Sequence, residues 1–444
     1  MKISSIIFLV LLVGSSAFFA YKVRQIIQNI KLGRSVNRTD NKGERLKTMI
    51  MVALGQSKMV SRPIAGIMHI FIYVAFVITQ IELIEIIVDG ASGSHRIFAP
   101  YLGGFYTFII SLIEVLSLLA LIATFTFLAR RNLLKIPRFT KSEMTGWPKL
   151  DGNIILYLEF VLVICIFTMN GADEALYLRG ESHFAGQGSF GFALSSHIGP
   201  AIFGGMETET LHLVERIGWW GHFSVVLGFL CYLPFSKHLH ILWAFPNVYF
   251  SNLKAKGEFT NMEAVTKEVK LMLDPNADPF AVPAEDPNAV PQKFGAKDVQ
   301  DLTWVNIMNA YTCTECGRCT SSCPANITGK KLSPRKIMMD VRDRVEELGA
   351  GIRKEGKEFN DGKSLLGDYI TEEEVWACTS CNACVQECPV NIDPLSIIVD
   401  LRRYLVMEES KIPAELMTMN TNIENNQAPW QFSPADRLNW KDEA

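Results

Sequence analysis

Two copies of one cysteine pattern occupy the last third of the chain: Cys313-x2-Cys316-x2-Cys319-x3-Cys323-Pro324 and Cys378-x2-Cys381-x2-Cys384-x3-Cys388-Pro389. Three thiolates at this spacing can wrap one corner of an iron–sulfur cube from a single turn of loop, while a fourth cysteine, followed by proline, projects away to ligate the other cluster. The pattern predicts two 4Fe–4S sites that cross over, Cys313, Cys316, Cys319 and Cys388 around one, and Cys378, Cys381, Cys384 and Cys323 around the other. Zinc is the weaker reading, because a third cysteine and a Cys-Pro are surplus to one tetrahedron. A disulfide framework suits a short secreted chain, not one of 444 residues. Thiolates holding reduced iron place this region in the cytoplasm.

Histidines are the second chemical feature, and their meaning depends on the elements that carry them. Hydrophobic residues make up 49% of the sequence, with 27 Phe, and the excess is local. Apolar runs at about residues 3–21, 63–88, 102–129, 151–170 and 212–245 are each long enough to cross about 30 Å of hydrocarbon. The fold class expected is all-α: a five-helix transmembrane bundle of cytochrome b type over 1–245, a linker over 246–300, a helical two-cluster ferredoxin domain over 301–408, and a tail over 409–444 suited to docking a partner. The net charge of -3 gives no footprint for nucleic acid.

Basic residues crowd between the first two spans (Lys22, Arg24, Lys31, Arg34, Arg38, Lys58 and Arg62 among them) and between the third and fourth (Arg130, Arg131, Lys135, Arg138, Lys141, Lys149). Both connections are therefore expected in the cytoplasm, with the N-terminus outside and the cluster domain inside. A cleaved secretory signal at Met1–Ala20 would export the basic segment behind it, so an uncleaved first helix is the expectation. Asp274 to Gln292, rich in Pro, Ala and Asp, reads as a semi-extended linker. The cluster domain starts near Asp301 and differs from a compact two-cluster ferredoxin, since 54 residues separate Cys323 from Cys378. Ser333-Pro334 and Asp393-Pro394 each offer an N-cap with proline at the first helical position. Behind them Ile337, Met338, Val341 and Val345, and Leu395, Ile398, Leu401 and Leu405, recur at helical spacing and should form core between the clusters.

An ionisable side chain inside a span is a functional hypothesis by default. His69 lies roughly 10 Å into the second span, and His240 sits at similar depth if the fifth helix runs to Phe245. Two facing imidazoles at one depth suit the axial positions of a haem b. His222 precedes His240 by five turns, about 27 Å on a straight helix, and either holds a second haem, lines a quinone site or hydrogen-bonds within the bundle. His238 should point away, to the surface. Glu114 and Glu159 are the candidate buried proton-relay carboxylates, whereas Glu82 and Glu85 fit a solvated position near the outer surface equally well. Cys165 and Cys231 read as packing residues.

The stretch Pro234-Phe235-Ser236-Lys237-His238-Leu239-His240, with His222 upstream and Arg62 to His69, resembles the cytochrome b (gamma) subunit of respiratory nitrate reductase, and more closely the membrane cytochrome of heterodisulfide reductase. The twin cysteine motifs resemble the two-cluster iron–sulfur subunit of heterodisulfide reductase. Asn422 to Trp430, then Arg437 and Trp440, is similar to the segment that precedes a cysteine-rich CCG domain in fused members of this group. The resemblance implies menaquinone and a CCG-type or electron-transfer-flavoprotein-type partner, expected on a separate protein because this sequence stops at Ala444. Two-haem relatives carry a second histidine about three turns along the second span, where this chain has Thr79. A second haem would need His95, His183, His197 or His212 opposite His222.

The expected function is a membrane-bound electron-transfer subunit between a cytoplasmic redox partner and the (mena)quinone pool in the inner membrane, using two 4Fe–4S clusters and haem b. The alternative from another class is a non-turnover membrane anchor or redox-sensing scaffold, which leaves histidines at matched depth unexplained. A subunit of an ion-translocating complex would need more buried carboxylates than the spans hold.

Overall fold

A computed structural model of the protein describes residues 3–181, 192–276 and 293–442. The fold is all-α: five long apolar helices followed by a helical region that carries both cysteine motifs. The spans are Ile3–Ile30, Pro63–Ser92, Gly104–Asn132, Trp147–Leu178 and Thr208–Phe235. In hydrocarbon every backbone polar group must be satisfied within the segment, so runs of this length and composition settle as helices. Their outer faces expose Ile3, Val10, Ile64, Phe105, Phe108 and Phe125, as lipid contact requires.

Small residues let the helices close on one another. A Cβ on Gly218 would meet the backbone nitrogen of Met169 at 2.7 Å, and one on Gly221 the Sγ of Cys165 at 2.9 Å, so the fifth span lies against the fourth. Cys165 is thus a packing residue. Phe8 of the first span is fully buried, with its ring centroid 4.0 Å from that of Phe223.

The fifth span ends earlier than the apolar run suggests. Its α-helix stops at Tyr232, Leu233–Phe235 tightens to 3-10 at Pro234, and a separate helix starts at His240 and runs to Tyr249. Proline cannot donate the next helical hydrogen bond, and the chain turns there. His240 therefore opens a second helix instead of lying inside the fifth span, and the straight-helix distance of about 27 Å from His222 does not apply. The Pro-rich linker from 277 to 292 lies outside the described residues, whereas 263–273 before it forms a helix.

The cluster domain is built as its caps and periodicity require. Ser333 accepts from the Lys336 amide and Asp393 from the Ser396 amide, each ahead of a proline at the first helical turn. Ile337, Met338, Val341, Val345, Leu395, Ile398, Leu401 and Leu405 share one buried core. Arg344, 1% exposed, joins that core to its rim, 2.7 Å from Asp298 and 2.5 Å from Asp361. Replacing it with methionine leaves two carboxylates facing a site without a cation, so Arg344→Met should cost roughly 3 kcal/mol or more in denaturant unfolding. Its guanidinium holds the Asp361 carboxyl below its usual range. That contribution is complete above the unfolded carboxylate value of about 4 and is lost as pH falls through the lower folded value. The variant should flatten this acid-side loss.

Arginines on both sides dock the domain on the connecting loops of the bundle. Arg318 donates to Lys58 O at 3.0 Å, Arg62 pairs with Glu387 at 2.9 Å, Arg335 pairs with Glu143 at 2.7 Å and donates to Arg138 O at 2.6 Å. Of the residues whose charge sets the expected orientation, Arg62 also fastens the two parts together.

Candidate functional site

The two motifs adopt the same local backbone. Glu315 and Gly317 in the first, and Ser380 and Asn382 in the second, all have positive φ, at 54°, 71°, 55° and 64°. This pair of left-handed residues turns each loop tightly enough for three cysteines to converge. A Cβ on Gly317 would lie 2.5 Å from the Arg335 guanidinium, which would have to shift, so glycine suits both the approach and the φ there.

Cys313, Cys316 and Cys319 line one cavity together with Cys384 and Cys388 of the second motif. Cys323, from the other Cys-Pro, lies within electrostatic reach of Cys378 and Cys384. Amides point at two of the sulfurs: Ser380 N donates to Cys378 Sγ at 3.4 Å and Ile392 N to Cys388 Sγ at 3.3 Å. Burial pushes the Cys313 thiol up to about 12 and the Cys388 thiol to about 11, with neighbouring cysteines adding to both shifts. Several thiolates packed this closely need positive charge among them, which is what iron supplies. Among the described residues no three His, Cys, Asp or Glu side chains gather closely enough around a single ion.

Against the first motif lies the haem candidate. The His69 and His240 rings stand with centroids 6.4 Å apart. Two imidazoles bonded through about 2 Å to one metal place their ring centres roughly 6 Å apart, so the pair fits an axial couple. His240 Nδ1 lies 3.0 Å from Lys237 O, which fixes the ring and leaves Nε2 for a metal, and His69 Nδ1 is buried without a hydrogen-bond partner. Burial lowers the His240 imidazole below its ordinary value, holding it neutral as a ligand must be. The spacing rule brought these two together despite the misplaced helix end.

His238 faces inward, contrary to the surface position expected for it. Its ring is 5.5 Å from His240 and 4.9 Å from Phe229, and burial with both neighbouring histidines pushes its imidazole down to about 3. The 3-10 turn at Lys237–Leu239 rotates it inward, where a continuous helix would have turned it out. His238 and His222 line the same cavity of about 360 Å³ between the spans, with Glu82, Glu159 and Thr79. His222 is 5% exposed and its Nδ1 has no partner. Of the other histidines weighed as its partner, His95 engages Asp173 and Arg216, neither His95 nor His197 nor His212 lines this cavity, and His183 lies outside the described residues.

The carboxylates divide differently from expectation. Glu114 is fully buried but tied off, accepting from Asn170 Nδ2, Leu194 N and Ser195 N at 2.8–3.1 Å. Glu82 and Glu85 do not reach solvent; each is 3% exposed. Two residues escaped the sequence reading. Buried Lys237 pairs with Glu315 inside the first cysteine motif and lies 3.7 Å from Asp151 of the fourth span, so one side chain ties the haem-candidate segment to the cluster loop. The only signal was a charged residue within each motif.

Fold and site together define a multi-pass membrane protein with a helical dicluster iron–sulfur domain. Comparison with known proteins agrees. Residues 312–392 match the 4Fe-4S dicluster domain. Over 99% of its length the chain is 28% identical to the probable iron-sulfur-binding oxidoreductase FadF of Bacillus subtilis, covering 61% of that protein. It is 26% identical to EtfAB:quinone oxidoreductase of Syntrophomonas wolfei, again over 99% of this chain and 59% of the relative. One component of the ferredoxin/F(420)H(2)-dependent CoB-CoM heterodisulfide reductase of Methanosarcina acetivorans is 31% identical across 24% of this chain and 52% of its own. The chain spans about three fifths of the length of the first two relatives. No solved structure gives a significant match. The chain is a multi-pass membrane protein with a 4Fe–4S dicluster domain, similar over that domain to this heterodisulfide reductase component.

Proposed function

We propose that the chain passes electrons between a cytoplasmic redox partner and the quinone pool, with menaquinone as the quinone, two crossed 4Fe–4S clusters and at least one haem b. The observation that carries this reading is the His69–His240 pair, 6.4 Å between rings, placed beside the first cysteine loop. Bound in these sites, the clusters and haem supply one-electron chemistry that no side chain offers. The protein's own part is to hold and orient: Lys237 O fixes His240, amides meet the cysteine sulfurs, and Arg318 locks the first motif to the loop before the second span.

The cavity where Cys388 meets Cys313, Cys316 and Cys319, with Cys384 also on its wall, supports the crossed assignment. The basic loops on the cluster side support an N-terminus outside and a cluster domain in the cytoplasm of a cell whose inner membrane holds the bundle. The name EtfAB:quinone oxidoreductase, borne by a relative, supports a flavoprotein-type partner and quinone, with a CCG-type protein as the other candidate. The tail exposes Trp430, Phe432 and Trp440, at 49%, 67% and 72%, a surface suited to docking that partner.

Stopped-flow mixing tests the reading. Dithionite-reduced wild type meeting a soluble menaquinone analogue should reoxidise its iron–sulfur and haem absorbance together, while in His69→Ala the clusters stay reduced far longer. Equal reoxidation in both proteins would mean that the quinone reaches the clusters without the membrane histidines.

A further inference from the structure

Glu82 is the most anomalous side chain in the bundle. It is 3% exposed, neither carboxylate oxygen has a hydrogen-bond partner, and it lines the cavity that His222 also lines with an unpartnered Nδ1. A buried carboxyl without partners is destabilising and persists where something else meets it. Packing alone gives no reason to keep it.

Beyond Glu82, and separated from it by a gap without a direct hydrogen bond, a set of polar groups leads to the end of the bundle away from the clusters. Glu85 lies one turn further along the same helix face. It accepts from the Tyr106 hydroxyl at 2.8 Å, and Tyr106 Oη accepts from Arg96 Nη1 at 3.2 Å. Arg96 Nε donates to Asp173 at 2.7 Å, and Asp173 lies 3.4 Å from His95 Nε2. His95 Nδ1 is 3.1 Å from Arg216 Nη2, whose side chain is 43% exposed. Second, third and fourth spans all contribute. Arg96 stays charged and stands between two sets of groups that can exchange protons, Glu82, Glu85 and Tyr106 on the cavity side and Asp173 and His95 on the surface side, which a water beside the guanidinium would have to bridge.

We propose that this network is a proton path joining the membrane cavity to the surface opposite the cluster domain, and that Glu82 exchanges the proton with a quinone held in the cavity beside His222. The inference rests on the carrier reading above and adds to it the side of the membrane that supplies protons. The balance is simple: a quinone takes two electrons from the reduced protein, each carbonyl oxygen gains one proton, and two O–H bonds form. Run backwards, the same groups release protons to the same side.

The test uses the full chain with its cofactors in vesicles, cluster domain outward, pyranine trapped inside and menadione in the bilayer. An impermeant reductant is added outside. Wild type should reduce menadione and turn the interior alkaline. Glu82→Gln should slow interior alkalinisation about a hundred-fold, the usual scale for losing a positioned proton donor. It should also remove a carboxyl C=O band from the reduced-minus-oxidised infrared spectrum, a change that a merely structural role would not produce. Glu82→Asp, which keeps the carboxyl, should retain part of the rate. Menadione reduction by wild type with no interior alkalinisation overturns the path and leaves the carrier reading standing, as does a Glu82→Gln protein that matches wild type. Wild type that leaves menadione oxidised overturns the carrier reading and the path with it.

Discussion

Replacing Cys388 by alanine should remove the cluster built on the first motif, and replacing Cys323 should remove the one built on the second. Each mutation deletes a thiolate that stands in sequence beside one set of cysteines and in space beside the other. Cys388 shares a cavity with Cys313, Cys316 and Cys319, and Cys323 neighbours Cys378 and Cys384. A cube that has lost one of four ligands is exposed to solvent and loses iron, so the effect should be close to complete for the affected cluster. The two centres sit in different surroundings, one beside the buried Lys237–Glu315 pair and the other beside half-exposed Arg402, and their paramagnetic resonance signals should be separable. Iron analysis should fall by about half in each variant. A signal lost from the cluster of the mutated residue's own motif, with the other retained, would show that the sites do not cross.

His69→Ala and His240→Ala should each abolish the same low-spin haem spectrum, because an axial pair fails when either imidazole is missing. His222→Ala should leave that spectrum in place, since His222 lines the cavity between the spans instead of facing His69. His238 is the necessary control. Its ring lies only 5.5 Å from His240, so a spectrum that survives His240→Ala and disappears in His238→Ala would move the second ligand by two residues. Haem quantified per chain by the pyridine haemochrome reads all four variants.

The two parts of the molecule differed in how much of them could be read directly. The dicluster domain, caps and core of the last third were legible because each rests on local rules: loop spacing, a side-chain oxygen ahead of a helix, apolar residues every third or fourth position. Ser333, Asp393 and the eight apolar residues behind them behave as those rules require. The spans were legible for the same reason, since hydrocarbon accepts a backbone only as a helix or a closed barrel.

What escaped depended on where the chain turns. The apolar run through 245 hides a break at Pro234, because hydrophobicity continues across it while the helix does not. That one turn moved His240 out of the fifth span, swung His238 inward and voided the straight-helix distance from His222. The carboxylates show the same division. Composition places Glu82, Glu85 and Glu114 within spans, yet only packing decides that Glu114 is tied by three donors and Glu82 by none. The sequence by itself determined an all-α membrane protein with twin cluster motifs, because those features are fixed by residues near one another in the chain. That His238 turns inward, that His240 opens its own helix, and which buried acid lacks a partner were decided by the tertiary structure, since each is a relation between residues that only packing brings together.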